Sequence, residues 1–304
     1  MNHQLTSSPN SPNSPWGTPL KVSKPLPWRI GDKFYGGMRP LLMGIINVTP
    51  DSFFDGGKYN TFDTALKQSE KLIIEGANIL DVGGESTRPG SKGVNKNEEL
   101  KRVADIIKGI SKRFDIPISI DTTKSFVANA AIEEGASIIN DVTAMTADAH
   151  MPQVAQNTGA SVVLNHIQGV PSTMQKKPQY GDVVKEIKSY LNVRVNHLTS
   201  LGIPKEKIAV DPGIGFGKQL HHNYQLIARS EEFKDLHCPL LLGMSRKSFI
   251  GNTEGLKTSD RLQPSVGAAM LAALKGVSIL RVHDVNETKE QLFMIEAILS
   301  KGLE

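Results

Sequence analysis

From about residue 38, short apolar runs alternate with longer stretches in which apolar positions recur at helical spacing. The runs are LLMGIINV (41–48), NILDVGG (78–84), PISIDT (117–122), SIINDV (137–142), SVVLNH (161–166), IAVDPG (208–213), PLLLGMS (239–245) and SILRVH (278–283). They are continuous rather than alternating, as in parallel strands covered on both faces. Between them lie amphipathic segments. In TFDTALKQSEKLIIEG, the positions Leu66, Ser69, Leu72, Ile73 and Gly76 share one helical stripe, and in ELKRVADIIKGI the stripe is Leu100, Val103, Ile106, Ile107 and Ile110.

One junction recurs, as EGANIL from 75, EGASII from 134, TGASVV from 158 and KGVSIL from 275. A glycine ends a helix in the left-handed conformation without steric cost, and the next strand starts at once. Repetition of this connector predicts one repeated unit. Eight β-then-α units predict an α/β fold, a (β/α)8 TIM barrel, as a single domain over residues 28–304. A doubly wound open sheet is the competing arrangement. Residues 1–27, rich in Ser, Pro and Asn, read as a disordered tail without the apolar core of a signal peptide or a membrane span.

Composition narrows the function classes. The chain has 304 residues, 39% hydrophobic and 22% charged, with a net charge of +4. Its Lys and Arg residues are scattered, so no nucleic-acid surface is predicted, whereas a small anionic substrate suits the excess of cations. The single cysteine, Cys238, excludes an intrachain disulfide and a cysteine-based zinc site and fits a reducing cytoplasm.

The strands end in chemistry. At or just past their C-terminal ends stand Asn47; Glu85, Thr87 and Arg88; Asp121; Asn140; His166; Asp211; Lys247; and Arg281 with His283. Singly, each could be a helix cap or a loop residue, as Thr122 and Ser125 are expected to be. Together they face the end where barrel active sites are built. DPGIGFGK lacks the spacing of a phosphate loop and is not GxGxxG, HExxH and GxSxG are absent, and the adjacent His221 and His222 read as a solvated loop.

GIINVTPDSFFDGG, DVGGESTRPG, SIDT, IIND, HIQG followed by Pro171, DPGIGFGK, SRKSFIG and RVHDV occur in that order, from about Met43 to Ile298. In these motifs the chain resembles the bacterial-type dihydropteroate synthases of the folate pathway. The resemblance implies a transferase that joins 6-hydroxymethyl-7,8-dihydropterin diphosphate to p-aminobenzoate with loss of pyrophosphate. It also implies a magnesium requirement, a cytoplasmic homodimer and inhibition by sulfonamides.

The family's pterin pocket carries over onto Asp121, Asn140, Asp211 and Lys247, with Phe216 closing over the ring. A flat heterocycle edged with donors and acceptors needs such partners, since an unpaired buried polar edge costs about 1–3 kcal/mol. The departing pyrophosphate requires cations, expected from Arg88, Arg281 and His283 with the Thr87 hydroxyl, in a positively charged mouth. Asn47 resembles the family's single protein ligand for Mg2+, a hard ion that keeps water and phosphate oxygens. The p-aminobenzoate wall carries over as Phe53, Thr87, Pro89 and Ser248, the last at a helix start that attracts anions.

Catalysis is expected to run by dissociative C–O cleavage, with Asp121, Arg88 and Lys247 as the central groups and anionic Asp121 stabilising the pterin cation. The glycine-rich loops after the first two strands are expected to close once pyrophosphate is bound. Phe54 stands where serine is usual, and Asn165 and Ile167 depart from the common MHM form. A non-catalytic pterin-binding paralogue, the folate-binding barrel of a corrinoid methyltransferase and a lysine-dependent aldolase on the same scaffold are the alternatives.

Overall fold

The chain folds, in a computed structural model, into a parallel barrel that begins with an antiparallel hairpin, β1 (Pro27–Ile30) and β2 (Lys33–Gly36). The structure describes residues 22–48, 61–87, 90, 91 and 93–301. The barrel strands are β3 (Leu41–Asn47), β4 (Ile79–Gly83), β5 (Ile118–Asp121), β6 (Ile138–Asp141), β7 (Ser161–Asn165), β8 (Ile208–Asp211), β9 (Leu241–Leu242) and β10 (Ile279–Val282). They lie in the order β8-β7-β6-β5-β4-β3-β10-β9, all pairings parallel. A parallel bridge between Val210 and Leu240, with the Val210 N–H donating to Pro239 O at 2.9 Å, brings the two outer strands together. The predicted barrel is therefore present, and the open sheet is not.

Around it run α1 (Thr61–Glu75), α2 (Lys96–Arg113), α3 (Ser125–Glu133), α4 (Met151–Thr158), α5 (Val183–Ser200), α6 (Leu220–Ala228), α7 (Ser248–Glu254), α8 (Leu262–Leu274) and α9 (Val285–Lys301). The predicted stripes face the barrel: Leu66, Ser69 and Leu72 of α1, and Val103, Ile106, Ile107 and Ile110 of α2, are buried. All four connector glycines adopt the left-handed conformation, with φ of +107° at Gly76, +112° at Gly135, +67° at Gly159 and +79° at Gly276.

Side chains point alternately in and out along each strand. Leu42, Leu80, Ile139, Val162, Val210 and Leu280 belong to the large core between barrel and helices. Their neighbours Met43, Ile79, Ile138, Val163, Ala209 and Ile279 form a separate cluster with Trp28 and Ile30 of the hairpin. That cluster fills the end of the barrel where the strands begin. The fully buried Trp28 donates its indole N–H to Lys207 O at 3.2 Å, and the Ser161 hydroxyl donates to Arg29 O at 2.7 Å. The hairpin thus plugs the N-terminal mouth. Just before it, the Ser23 N–H donates to Leu274 O and the Leu26 N–H to Ser278 Oγ, while residues 1–21 lie outside the described set.

Two local expectations are corrected. Ser125 does not cap α3: its N–H is taken by the Asp148 carboxylate at 2.9 Å, and the Thr122 hydroxyl accepts from the Lys124 N–H in a short turn instead. His221 and His222 are not in a loop but in the first turn of α6. There His222 is buried and its Nδ1 accepts from the Gln219 N–H at 3.1 Å, because a residue closing a helix N-terminus satisfies an otherwise orphaned donor.

Candidate active site

One step further along each strand, the inward positions change character. Two residues beyond Ile79, Ile138, Val163, Ala209 and Ile279 stand Asp81, Asn140, Asn165, Asp211 and Arg281, and Asp121 ends β5. A polar layer therefore sits directly on the apolar plug, facing the C-terminal mouth.

Arg281 is the centre of this layer. Its Nε donates to Asp81 Oδ2 at 2.6 Å and its Nη2 to Asp121 Oδ2 at 2.8 Å. Asp81, fully buried, also accepts from Asn140 Nδ2, at 3.3 and 3.2 Å to its two oxygens. Burial pushes the Asp121 carboxyl up to about 7 against the pull of Arg281, and the nearby carboxylates of Asp81, Glu99 and Asp141 add to the rise. Burial alone would weaken the Arg281 guanidinium's hold on its proton, but Asp81 and Asp121 outweigh it and the group stays charged.

After β9, the strand next to that of Arg281, the Lys247 amine donates to Ile214 O at 2.5 Å and lies 4.4 Å from the centre of the Phe216 ring. Burial lowers it to about 8, partly opposed by Asp211, while Arg281 lowers it further. Asp211 is held up by burial against the charge of Lys247, and its Oδ1 accepts from the Gly213 N–H at 2.7 Å. Gly213, at φ +72°, has no room for a side chain, because a Cβ there would run into His166 O and the Asn165 side chain. The DPGIGFGK loop is thereby pressed onto the loop after β7.

Lys218 fastens that contact. Its buried amine donates to Phe216 O at 2.8 Å and His166 O at 3.3 Å and lies 3.1 Å from His166 Nδ1. Burial lowers the amine well below its ordinary range. Burial, with the charge of Lys218, holds His166 neutral, down at about 3. His166 therefore serves as a hydrogen-bond partner inside the wall.

The remaining predicted residues fall around this centre. Asn47 is half-buried at the end of β3. The His283 ring nitrogen Nδ1 lies 3.0 Å from Ser245 Oγ, two residues after Arg281 in sequence. Ser248 is exposed at the first residue of α7, and Thr87 is half-buried in the loop after β4. Arg88, Pro89 and Phe53, like Phe54, lie outside the described residues.

A family model described as "Pterin binding enzyme" matches residues 43–283. The chain belongs to the pterin binding enzyme family. Within that family it is 47% identical to the dihydropteroate synthase of Escherichia coli (strain K12) over 261 residues, 86% of this chain and 92% of the relative. It is 42% identical to the dihydropteroate synthase of Haemophilus influenzae over 258 residues, 85% and 94% of the two chains. The Yersinia pestis dihydropteroate synthase, solved with a sulfonamide drug, superposes with a TM-score of 0.85 at 41% identity, covering 90% of this chain and 100% of that one. The Xanthomonas albilineans enzyme in complex with 7,8-dihydropteroate gives a TM-score of 0.81 at 36% identity, over 90% and 99%.

The cations of the expected positively charged mouth are paired with carboxylates: among the described residues Arg281 and Lys247 face three carboxylates, Asp81, Asp121 and Asp211, because buried charges are held only when paired. Asp81, Lys218, Lys124 and Glu99 were not expected at the site, and Glu85 was expected at the mouth but without a role. Lys124 Nζ sits 2.6 Å from Glu85 Oε2 and 2.5 Å from Glu99 Oε2, and Glu85 Oε1 accepts from the Val94 N–H at 2.8 Å, so Glu85 fastens the loop after β4. The available signal for Asp81 was strand parity, since it points the same way as Ile79 and Gly83.

Proposed function

We propose that this pterin binding enzyme is a dihydropteroate synthase, which condenses 6-hydroxymethyl-7,8-dihydropterin diphosphate with p-aminobenzoate to 7,8-dihydropteroate and pyrophosphate. The observation that carries the reading is the Arg281 guanidinium bonded to Asp121 in the barrel interior, with a lysine amine set over an aromatic ring after the neighbouring strand. A cation for the leaving group and an anion for the cation left behind stand side by side.

The pterin ring takes its polar contacts from Asp121, Asn140, Asp211 and Lys247, with Phe216 against its face. Arg281, assisted by Arg88, His283 and Thr87, binds the diphosphate and favours the form in which the C–O bond has broken, since charge that develops in the transition state is best met by groups already in place. The methylene is then a delocalised cation on the pterin, and ionised Asp121 stabilises it. The attacking arylamine is unprotonated at neutral pH, so no strong general base is needed. Its carboxylate is received at Ser248, with Phe53, Thr87 and Pro89 as the remaining wall. The new C–N bond releases the amine proton to solvent.

Among the described residues no group of three His, Cys, Asp or Glu side chains could hold a metal ion. The lone Asn47 amide oxygen at a strand end fits instead a hydrated Mg2+ that takes its other ligands from water and phosphate. When bound there, Mg2+ would neutralise charge on the diphosphate.

No helix among the described residues is long and apolar enough to cross a membrane. We further propose a cytoplasmic homodimer, for which the exposed Phe293, Met294 and Ile298 of α9 offer apolar surface, and light scattering of the purified protein checks the mass. The decisive assay mixes the protein with pterin diphosphate, p-aminobenzoate and Mg2+ and follows dihydropteroate together with pyrophosphate. Release of pyrophosphate without dihydropteroate would overturn the assignment.

A further inference from the structure

We propose that Asp81 is a positioning residue that holds the leaving-group cation and the pterin-reading amide in one network, so that the two ends of the substrate are recognised by a single rigid unit. The inference rests on the reading of the site as a pterin diphosphate pocket and adds a residue and a role to it.

Three observations support it. Asp81 has no exposed surface and lies in mid-strand, two residues before the end of β4. Its two oxygens are shared between Arg281 Nε at 2.6 Å and Asn140 Nδ2 at 3.3 and 3.2 Å. These partners come from β10 and β6, which are not neighbours in the sheet, so the contact ties opposite parts of the barrel. A guanidinium is a planar fork. Fixing its Nε edge on Asp81 leaves one orientation for the Nη2 edge, which here holds Asp121.

The same carboxylate fixes which way the Asn140 amide faces. With Nδ2 engaged by Asp81, rotation of the amide is blocked and its carbonyl oxygen keeps a set direction. Asp81 thus acts on the substrate through other residues, and its deletion should disturb recognition of pterin diphosphate while sparing p-aminobenzoate.

The test uses the full chain with Asp81→Asn, Arg281→Gln and the pair of substitutions together. A lost hydrogen bond between charged groups corresponds to roughly 10- to 100-fold, so kcat/KM for pterin diphosphate should fall by about that factor in Asp81→Asn. The KM for p-aminobenzoate should stay within about twofold, the range expected for uncoupled sites. In the Arg281→Gln background the same substitution should cost clearly less than in the unaltered chain, since only the Asn140 contact then depends on it. It should also raise the melting temperature, because it removes a carboxylate left buried without its cation.

Equal losses in both backgrounds, a matching rise in the KM for p-aminobenzoate, or wild-type kinetics in Asp81→Asn would each overturn the proposal. If Asp81→Asn alone does not fold, Arg281→Gln and the pair still decide: a pair that melts lower than Arg281→Gln, or whose KM for p-aminobenzoate rises above that of Arg281→Gln, refutes it. Should the unaltered chain form no dihydropteroate, the functional assignment fails separately. Calorimetry with pyrophosphate alone then remains, where Asp81→Asn is expected to bind at least about tenfold more weakly and equal affinity overturns the proposal.

Discussion

Asp121→Asn separates what this carboxylate does for turnover from what it does to the fold. The change keeps the shape and removes one charge, and Arg281 retains Asp81 as its partner at 2.6 Å. Opposite unit charges roughly 4 Å apart attract by about 4 kcal/mol at an effective dielectric near 20. Losing most of that from a pterin cation lowers kcat by about 100- to 1000-fold, with a smaller effect on the pterin KM.

Stability should move the other way. The Asp121 carboxyl sits at about 7 in the folded chain against an ordinary value of 3.8. A raised folded value means that the native state holds its proton more tightly than the unfolded chain. The group's stabilising contribution is then complete below about pH 4 and is lost as pH climbs through 7. The difference of about three pH units corresponds to up to about 4 kcal/mol. Asp121→Asn escapes that loss, so it should melt several degrees above the unaltered chain at pH 8, and the gap should close toward pH 4. Product formation and thermal melts at both pH values measure the two effects. Full turnover would refute the cation-stabilising role, and an unchanged melting temperature at pH 8 would refute the reasoning from burial.

The plot of kcat/KM for pterin diphosphate against pH should be a narrow bell. Protonation of Asp121 below about 7 forms its acid limb, and loss of the Lys247 proton above about 8 forms its alkaline limb. Asp121→Asn should remove the first, and Lys247→Arg should carry the second upward. Lys218→Met strips hydrogen bonds from Phe216 O and His166 O and should cost about 2–5 kcal/mol by denaturant melts, with a raised pterin KM. Trp28→Ala opens the plug and should cost about 3–5 kcal/mol while leaving kcat per folded molecule intact.

The barrel was legible because each of its units repeats the same grammar of apolar run, amphipathic stripe and glycine stop. Asp121, Asn140, Asp211, Lys247 and Arg281 were legible because strand ends in a barrel converge. The hairpin was hidden, since PWRI and KFYG are too short and too polar to stand out from a tail, and their stability comes from Trp28 reaching the barrel. Asp81 was hidden for another reason. A strand buried on both faces shows no alternation, so a carboxylate between Leu80 and Val82 looks like a strand end until inward and outward positions are counted separately. The pairing of cations with carboxylates depends on side chains from strands far apart in sequence, such as Arg281 with Asp81, and no local pattern carries it.

Because Trp28 and its neighbours stopper one end, the cylinder is, among the described residues, a well that opens at the other. Ser248 is exposed at the rim while Asn140 and Asp211 are buried, so on the proposed reading an occupant of the rim that came first would shut out a ligand destined for the bottom. Traffic through such a vessel would be a queue: on that reading the diphosphate compound enters ahead of the arylamine, and the joined product backs out the way both came.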